Sequence, residues 1–132
     1  MVLHHIGIVV DHLNEAIPIF EVWMNARRIG SVVEDETQGA RIQLFLIGTD
    51  SLLELIEPLP GRDPAMHHVG EYHLCFTVPD LDAEMHRLHA LGAMTTSPPI
   101  PSTLFGHRPI AFLATHSGQL LELLEEAKTP VQ

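Results

Sequence analysis

At 132 residues, 45% of them hydrophobic, the chain is long enough for one compact domain or two small fused modules around a core. A formal net charge of −10, from 7 basic and 17 acidic residues, disfavours nucleic acid and anionic membrane surfaces and leaves a small molecule as the expected partner. The only cysteine, Cys75, excludes a disulfide framework and any multi-cysteine zinc site, so a bound metal would need His and carboxylate ligands, and ten histidines are on hand.

The chain opens with MVLHHIGIVVDHL, which lacks the basic start and small-residue cleavage site of a signal peptide. No later apolar run approaches the roughly 18 residues of a membrane span, so a cytoplasmic protein is expected. HHIGIVV reads as a β-branched strand. DHLNEAIPIFEVWMNARRIG then predicts a helix, with Asp11 as its cap, apolar spacing through Leu13, Ile17, Phe20 and Met24, and Gly30 as its stop. Pro18 falls early in that pattern, which a helix tolerates if it begins near Leu13 to Ala16. A strand near Ser31 to Glu34 follows, then ARIQLFLI, a turn at Ile47 to Asp50, and the strand SLLELIEPL. PLPGRDPAMHHVG is a linker. After it the plan repeats: YHLCFTV, a helix from about Leu81 to Leu91 stopped by Gly92, a short strand near Ala93 to Thr95, RPIAFLA, a turn at Thr115 to Gly118, and QLLELLEE. The proline-rich SPPIPSTLFGHRP within the second copy is expected to be a loop bordering a ligand site.

The repeat has a single ungapped register. A shift of 68 lays LHHIGIVVDHLNEA on EYHLCFTVPDLDAE and IQLFLIGTDSLLELIE on IAFLATHSGQLLELLE, joining His5 to His73 and Glu54 to Glu122. The fold class that follows is α+β, built of two tandem βαβββ modules at about 1–60 and 71–127, joined by a linker at about 61–70. Strand alternation places Leu3, His5, Gly7 and Val9 on one face, and Leu52, Glu54 and Ile56 on another, matched by Leu120, Glu122 and Leu124. His4 then points the other way, toward solvent. A lone ionised carboxylate among apolar neighbours is unfavourable, so the two LLEL glutamates call for a cation or a proton. If the halves pack with approximate two-fold symmetry, His5, Glu54, His73 and Glu122 converge on one divalent ion (Co, Zn, Ni, Mn or Fe), with positions left for water or substrate oxygens. His12, His67, His68, His86 and His89 are read as non-ligands, and His116 as a solvated turn residue. Cys75 is read as a small packing residue, and Trp23 as a core or interface residue.

HHIGIVVDHLNEA, LLELIEPL, YHLCFTVPDLDAEMHRLHALGA and HRPIAFLATHSGQLLELLE resemble the vicinal oxygen chelate superfamily, which includes glyoxalase I, extradiol dioxygenases, fosfomycin-modifying enzymes and bleomycin-binding proteins. The resemblance spans nearly the whole chain and, within the superfamily, is strongest to the methylmalonyl-CoA epimerases. It implies a half-open mixed β-barrel around the metal, a homodimer, and an isomerase that moves a proton at the carbon next to a carbonyl or thioester through a metal-stabilised enediolate. Glu122 and Glu54 are the implied general acid and base. Gln38, His107 and Arg108 are the expected substrate contacts, and an acyl-CoA is the sharpest substrate. Arg41 and Arg62 join Arg108 as the basic residues placed at a rim. Where some epimerases carry an acid after the Gln-Gly pair, this chain has Ile42. The alternatives are a glyoxalase I-like lyase or another enzyme of the superfamily, and a drug- or metabolite-binding protein of the same fold without catalysis.

Overall fold

The computed structural model describes residues 1–61 and 68–128, so most of the expected linker, with Arg62 and His67, lies outside the described residues. In chain order the elements are β1 (Val2–Val9), α1 (Leu13–Trp23), β2 (Arg27–Asp35), β3 (Ala40–Ile47), β4 (Ser51–Pro58), β5 (Tyr72–Val78), α2 (Leu81–Ala90), β6 (Met94–Pro101), β7 (Pro109–Ala114) and β8 (Leu120–Glu125). This is the expected α+β plan, βαβββ written twice. Two compact units emerge: His5–His73, and Met1–His4 with Leu74–Gln132.

In the first unit the strands run in the order β2-β3-β4-β1. β3 is antiparallel to both β2 and β4, and β1 lies parallel to β4 with Gly7 opposite Glu54. Helix α1 buries Leu13 and Ile17 against Phe45, Leu53 and Leu55 of the sheet. In the second unit the order is β5-β8-β7-β6, and α2 buries Leu81 and Met85 against Leu113 and Leu123. Under the shift of 68, Leu13, Ile17, Phe45 and Leu55 fall on Leu81, Met85, Leu113 and Leu123, and the strand registers correspond too: Leu44 faces Glu54 across β3 and β4, and Phe112 faces Glu122 across β7 and β8.

The last glutamate of each LLEL strand has a different task. Leu13 N–H donates to Oε1 of Glu57 at 3.1 Å, and Leu81 N–H donates to Oε1 of Glu125 at 3.1 Å. A helix start carries unpaired N–H groups and a partial positive charge, so a carboxylate from the neighbouring strand satisfies both. Asp11 therefore does not cap α1: the cap position is His12, which makes no side-chain cap bond, and Glu57 supplies the acceptor. Glu57 also holds Arg41 at 3.0 Å, which ties that arginine to the helix start.

Two further expectations change. Helix α1 stops at Trp23, well before Gly30, because Asn25 adopts a left-handed φ of 52° and Ala26 N–H turns back to Phe20 O. The residues after it are then free to extend β2, and Gly30, at φ 68°, sits where the β2 register shifts against β3. The strand expected at Ala93 to Thr95 runs on through Pro98, Pro99 and Pro101, which an edge strand accepts because its outward side needs no N–H donors. Trp23, expected in the core or at an interface, is 77% exposed and so is not part of the core.

Candidate metal centre

The first unit brings three of the sequence-named residues together. β1 delivers His5, β4 delivers Glu54, and the start of β5 delivers His73, each from a buried strand position. Their relative exposures are 1%, 3% and 5%, so all three polar side chains are withdrawn from bulk water. Nε2 of His5 lies 3.4 Å from Oε1 of Glu54, and Nε2 of His73 lies 3.8 Å from the same oxygen. The two Nε2 atoms are 3.4 Å apart, and the rings cross nearly edge to face with an interplanar angle of 81°.

These separations decide what the cluster is suited to. A buried N–H···O or N–H···N bond settles near 3.0 Å, so 3.4 to 3.8 Å is long for direct pairing. Tetrahedral bonds of about 2.05 Å to a zinc-like ion put neighbouring ligand atoms about 3.35 Å apart. Two imidazole nitrogens and a carboxylate oxygen that all lie within 4.8 Å of one another therefore fit a divalent first-row ion in both donor chemistry and spacing.

Glu122 stands in the second unit, 1% exposed, on β8 at the position that corresponds to Glu54. The other named residues have different surroundings. Gln38 spends its amide on a turn: Nε2 donates to Oδ2 of buried Asp35 at 2.8 Å, while Oδ1 of Asp35 accepts from Thr37 and Gln38 N–H. Arg108 donates from Nε to Phe105 O at 3.0 Å and reaches Glu125 O at 3.5 Å, which shapes the loop before β7. His107 is exposed at a left-handed φ of 61° in that loop. His4, expected in solvent, is half-buried and packs edge-on against Phe105 with ring centroids 4.9 Å apart. His12, His86, His89 and His116 are exposed, and Cys75 is fully buried.

Sequence reasoning passed over Glu57 and Glu125 as helix caps, although the same shift of 68 joins them. It also gave Gly7 no role beyond its face of β1.

The profile of the Glyoxalase/Bleomycin resistance protein/Dioxygenase superfamily matches residues 4–112. The chain belongs to this superfamily. No curated protein matches it in sequence. Among solved structures, a hypothetical protein from Bacillus halodurans C-125 is similar at 23% identity and a TM-score of 0.77, over 98% of this chain and 97% of that one. Methylmalonyl-CoA epimerase from Mycobacterium tuberculosis is similar at 24% identity and a TM-score of 0.74, over 96% and 89%. A variant of Streptomyces coelicolor methylmalonyl-CoA epimerase, in complex with 2-nitronate-propionyl-CoA, is similar at 22% identity and a TM-score of 0.78, over 97% and 99%. At these identities the likeness is one of fold. Members of the superfamily usually hold a divalent metal, and the His5, Glu54 and His73 side chains suit one. Among the described residues no helix is long and apolar enough to cross a membrane.

Proposed function

We propose that this chain is a divalent-metal-dependent isomerase that epimerises the carbon next to a thioester carbonyl, with an acyl-CoA as substrate. The observation that carries the reading is the buried meeting of His5 Nε2, Glu54 Oε1 and His73 Nε2 at ligand spacing. Glu122 completes the set as the fourth ligand. Its burial and its place in the repeat support that role. The acyl-CoA part is supported by the epimerases of similar fold, five of which are complexes with 2-nitronate-propionyl-CoA or methylmalonyl-CoA.

When bound, a divalent ion supplies Lewis-acid polarisation of a substrate carbonyl, which lowers the pKa of the adjacent C–H. The chain's own residues supply the proton path. One glutamate, ionised at the outset, accepts the α-proton at an Oε atom as the C–H electron pair moves toward the carbonyl, and the other, protonated at the outset, donates its proton to the α-carbon from the opposite face, so the two exchange protonation states in each turnover. Glu122 and Glu54 take these parts, because epimerisation needs an acceptor and a donor and the site has two glutamates to offer. His5 and His73 take no proton in this scheme; their buried Nε2 atoms would hold the ion.

The test is metal content per chain by elemental analysis for wild type, His5→Ala and Glu122→Ala, followed by solvent deuterium incorporation into acyl-CoA thioesters. About one equivalent in wild type, lost in both variants, with deuterium at the α-carbon, is the expected result. No metal after loading with Zn, Co, Ni, Mn and Fe(II) in turn sinks the reading. Metal without exchange on thioesters, but with turnover of a hemithioacetal, moves the activity to a glyoxalase-type lyase.

A further inference from the structure

We infer that Gly7 is a positioning residue for the metal centre: the absence of a side chain there makes the space in which the His73 imidazole lies. The inference rests on the metal-site reading above. A Cβ built on Gly7 would stand 2.2 Å from Cε1, 2.7 Å from Nε2 and 2.8 Å from Nδ1 of His73. All three distances are below any tolerable carbon contact, and they mark the whole nitrogen-bearing edge of the ring as lying against the backbone of β1. Since Nε2 is the atom that faces His5 and Glu54, displacing this edge moves a ligand atom directly.

Backbone conformation does not explain the glycine. The other eight of the nine glycines have positive φ, and Gly7 alone does not. An alanine would therefore be accepted by the backbone at this point of β1, and in a strand it would ordinarily raise stability by restricting the unfolded chain. Its three nearest obstacles are all atoms of the ring. The ring in turn has little freedom to retreat, because His73 is buried and Glu54, the residue paired with Gly7 across β1 and β4, flanks the same spot. Gly7 thus acts through His73 in the way a neighbouring support fixes a ligand's orientation, and loss of such a support typically lowers metal affinity about 10–100-fold.

The experiment compares wild type, Gly7→Ala, His73→Ala and the double variant. Zn(II) affinity and the visible spectrum of the Co(II)-loaded protein are measured, together with the melting temperature of the metal-free forms. Gly7→Ala is expected to lose about 10–100-fold in Zn(II) affinity and to change the Co(II) spectrum. Its metal-free melting temperature falls, and adding His73→Ala restores it, because the truncated side chain vacates the space the methyl needs. Wild-type affinity and spectrum in Gly7→Ala overturn the inference. So does a Gly7→Ala protein that fails to fold and is not rescued by His73→Ala, since the clash would then lie elsewhere. Absence of metal from wild type overturns the metal-site reading and this role together. Metal in wild type without coupling between positions 7 and 73 overturns this role alone.

Discussion

Glu54 and Glu57 are three residues apart on one strand, and their removal should have opposite consequences. Glu57→Ala takes the acceptor from Leu13 N–H at the start of α1, a loss of about 1–2 kcal/mol for a helix cap. The pair with Arg41, whose side chain is 38% exposed, adds no more than about 0.5 kcal/mol. With an unfolding entropy of about 2.1 cal/mol/K per residue, a chain of 132 residues should melt about 4–9 °C lower. Metal content should stay at the wild-type value, since Glu57 faces the helix start rather than His5 and His73. Glu54→Ala should do the reverse: it removes a buried carboxylate from between two imidazoles, abolishing metal binding while the metal-free melting temperature stays level or rises. Calorimetry on stripped protein and elemental analysis on loaded protein read the two effects separately. If Glu57→Ala lost its metal, or melted within 1 °C of wild type (about 0.3 kcal/mol on the same entropy), the division of labour along β4 would be wrong.

Glu125→Ala should lower the melting temperature less than Glu57→Ala does, because α2 keeps a second cap in Asp80, which accepts from Ala83 N–H at 3.1 Å. Phe45→Ala, at a fully buried core position, should cost about 3–5 kcal/mol, seen as a shift of the urea midpoint without a change of slope. Chelation should lower the melting temperature of metal-loaded wild type, and free ion at 100 times its Kd should restore about 2.7 kcal/mol of stability. Glu122→Gln should slow solvent deuterium exchange into substrate even at full occupancy of the metal; full turnover in that variant would move the base elsewhere.

The duplication was legible in the sequence because it repeats side chains of opposite character at one offset: His within a β-branched strand, Glu within a leucine run. Strand periodicity then assigned the faces, and the buried His5, Glu54 and His73 follow from it. What escaped was decided by partners distant in sequence. Nothing local tells that Glu57 reaches a backbone N–H 44 residues back, and a nearby aspartate was the more natural cap. Helix α1 was drawn too long because its apolar period runs on to Met24 and a glycine follows, whereas Asn25, which accepts a left-handed φ, ends it first. The prolines of β6 suggested a loop because a strand's need for N–H donors was applied without knowing that this strand lies at an edge. Gly7 is the sharpest case. A glycine in a strand reads locally as a weakness, and only the ring of His73, brought from 66 residues away (73 − 7), gives it a reason. The corresponding position in the second module is Cys75, so the repeat by itself does not call for glycine here. If the glycine serves the histidine, exchanging Gly7 for cysteine, the residue at the corresponding position of the other module, should cost metal affinity as alanine does. A Gly7→Cys protein that bound zinc as wild type does would show that the repeat, rather than the ring, set the residue at this position.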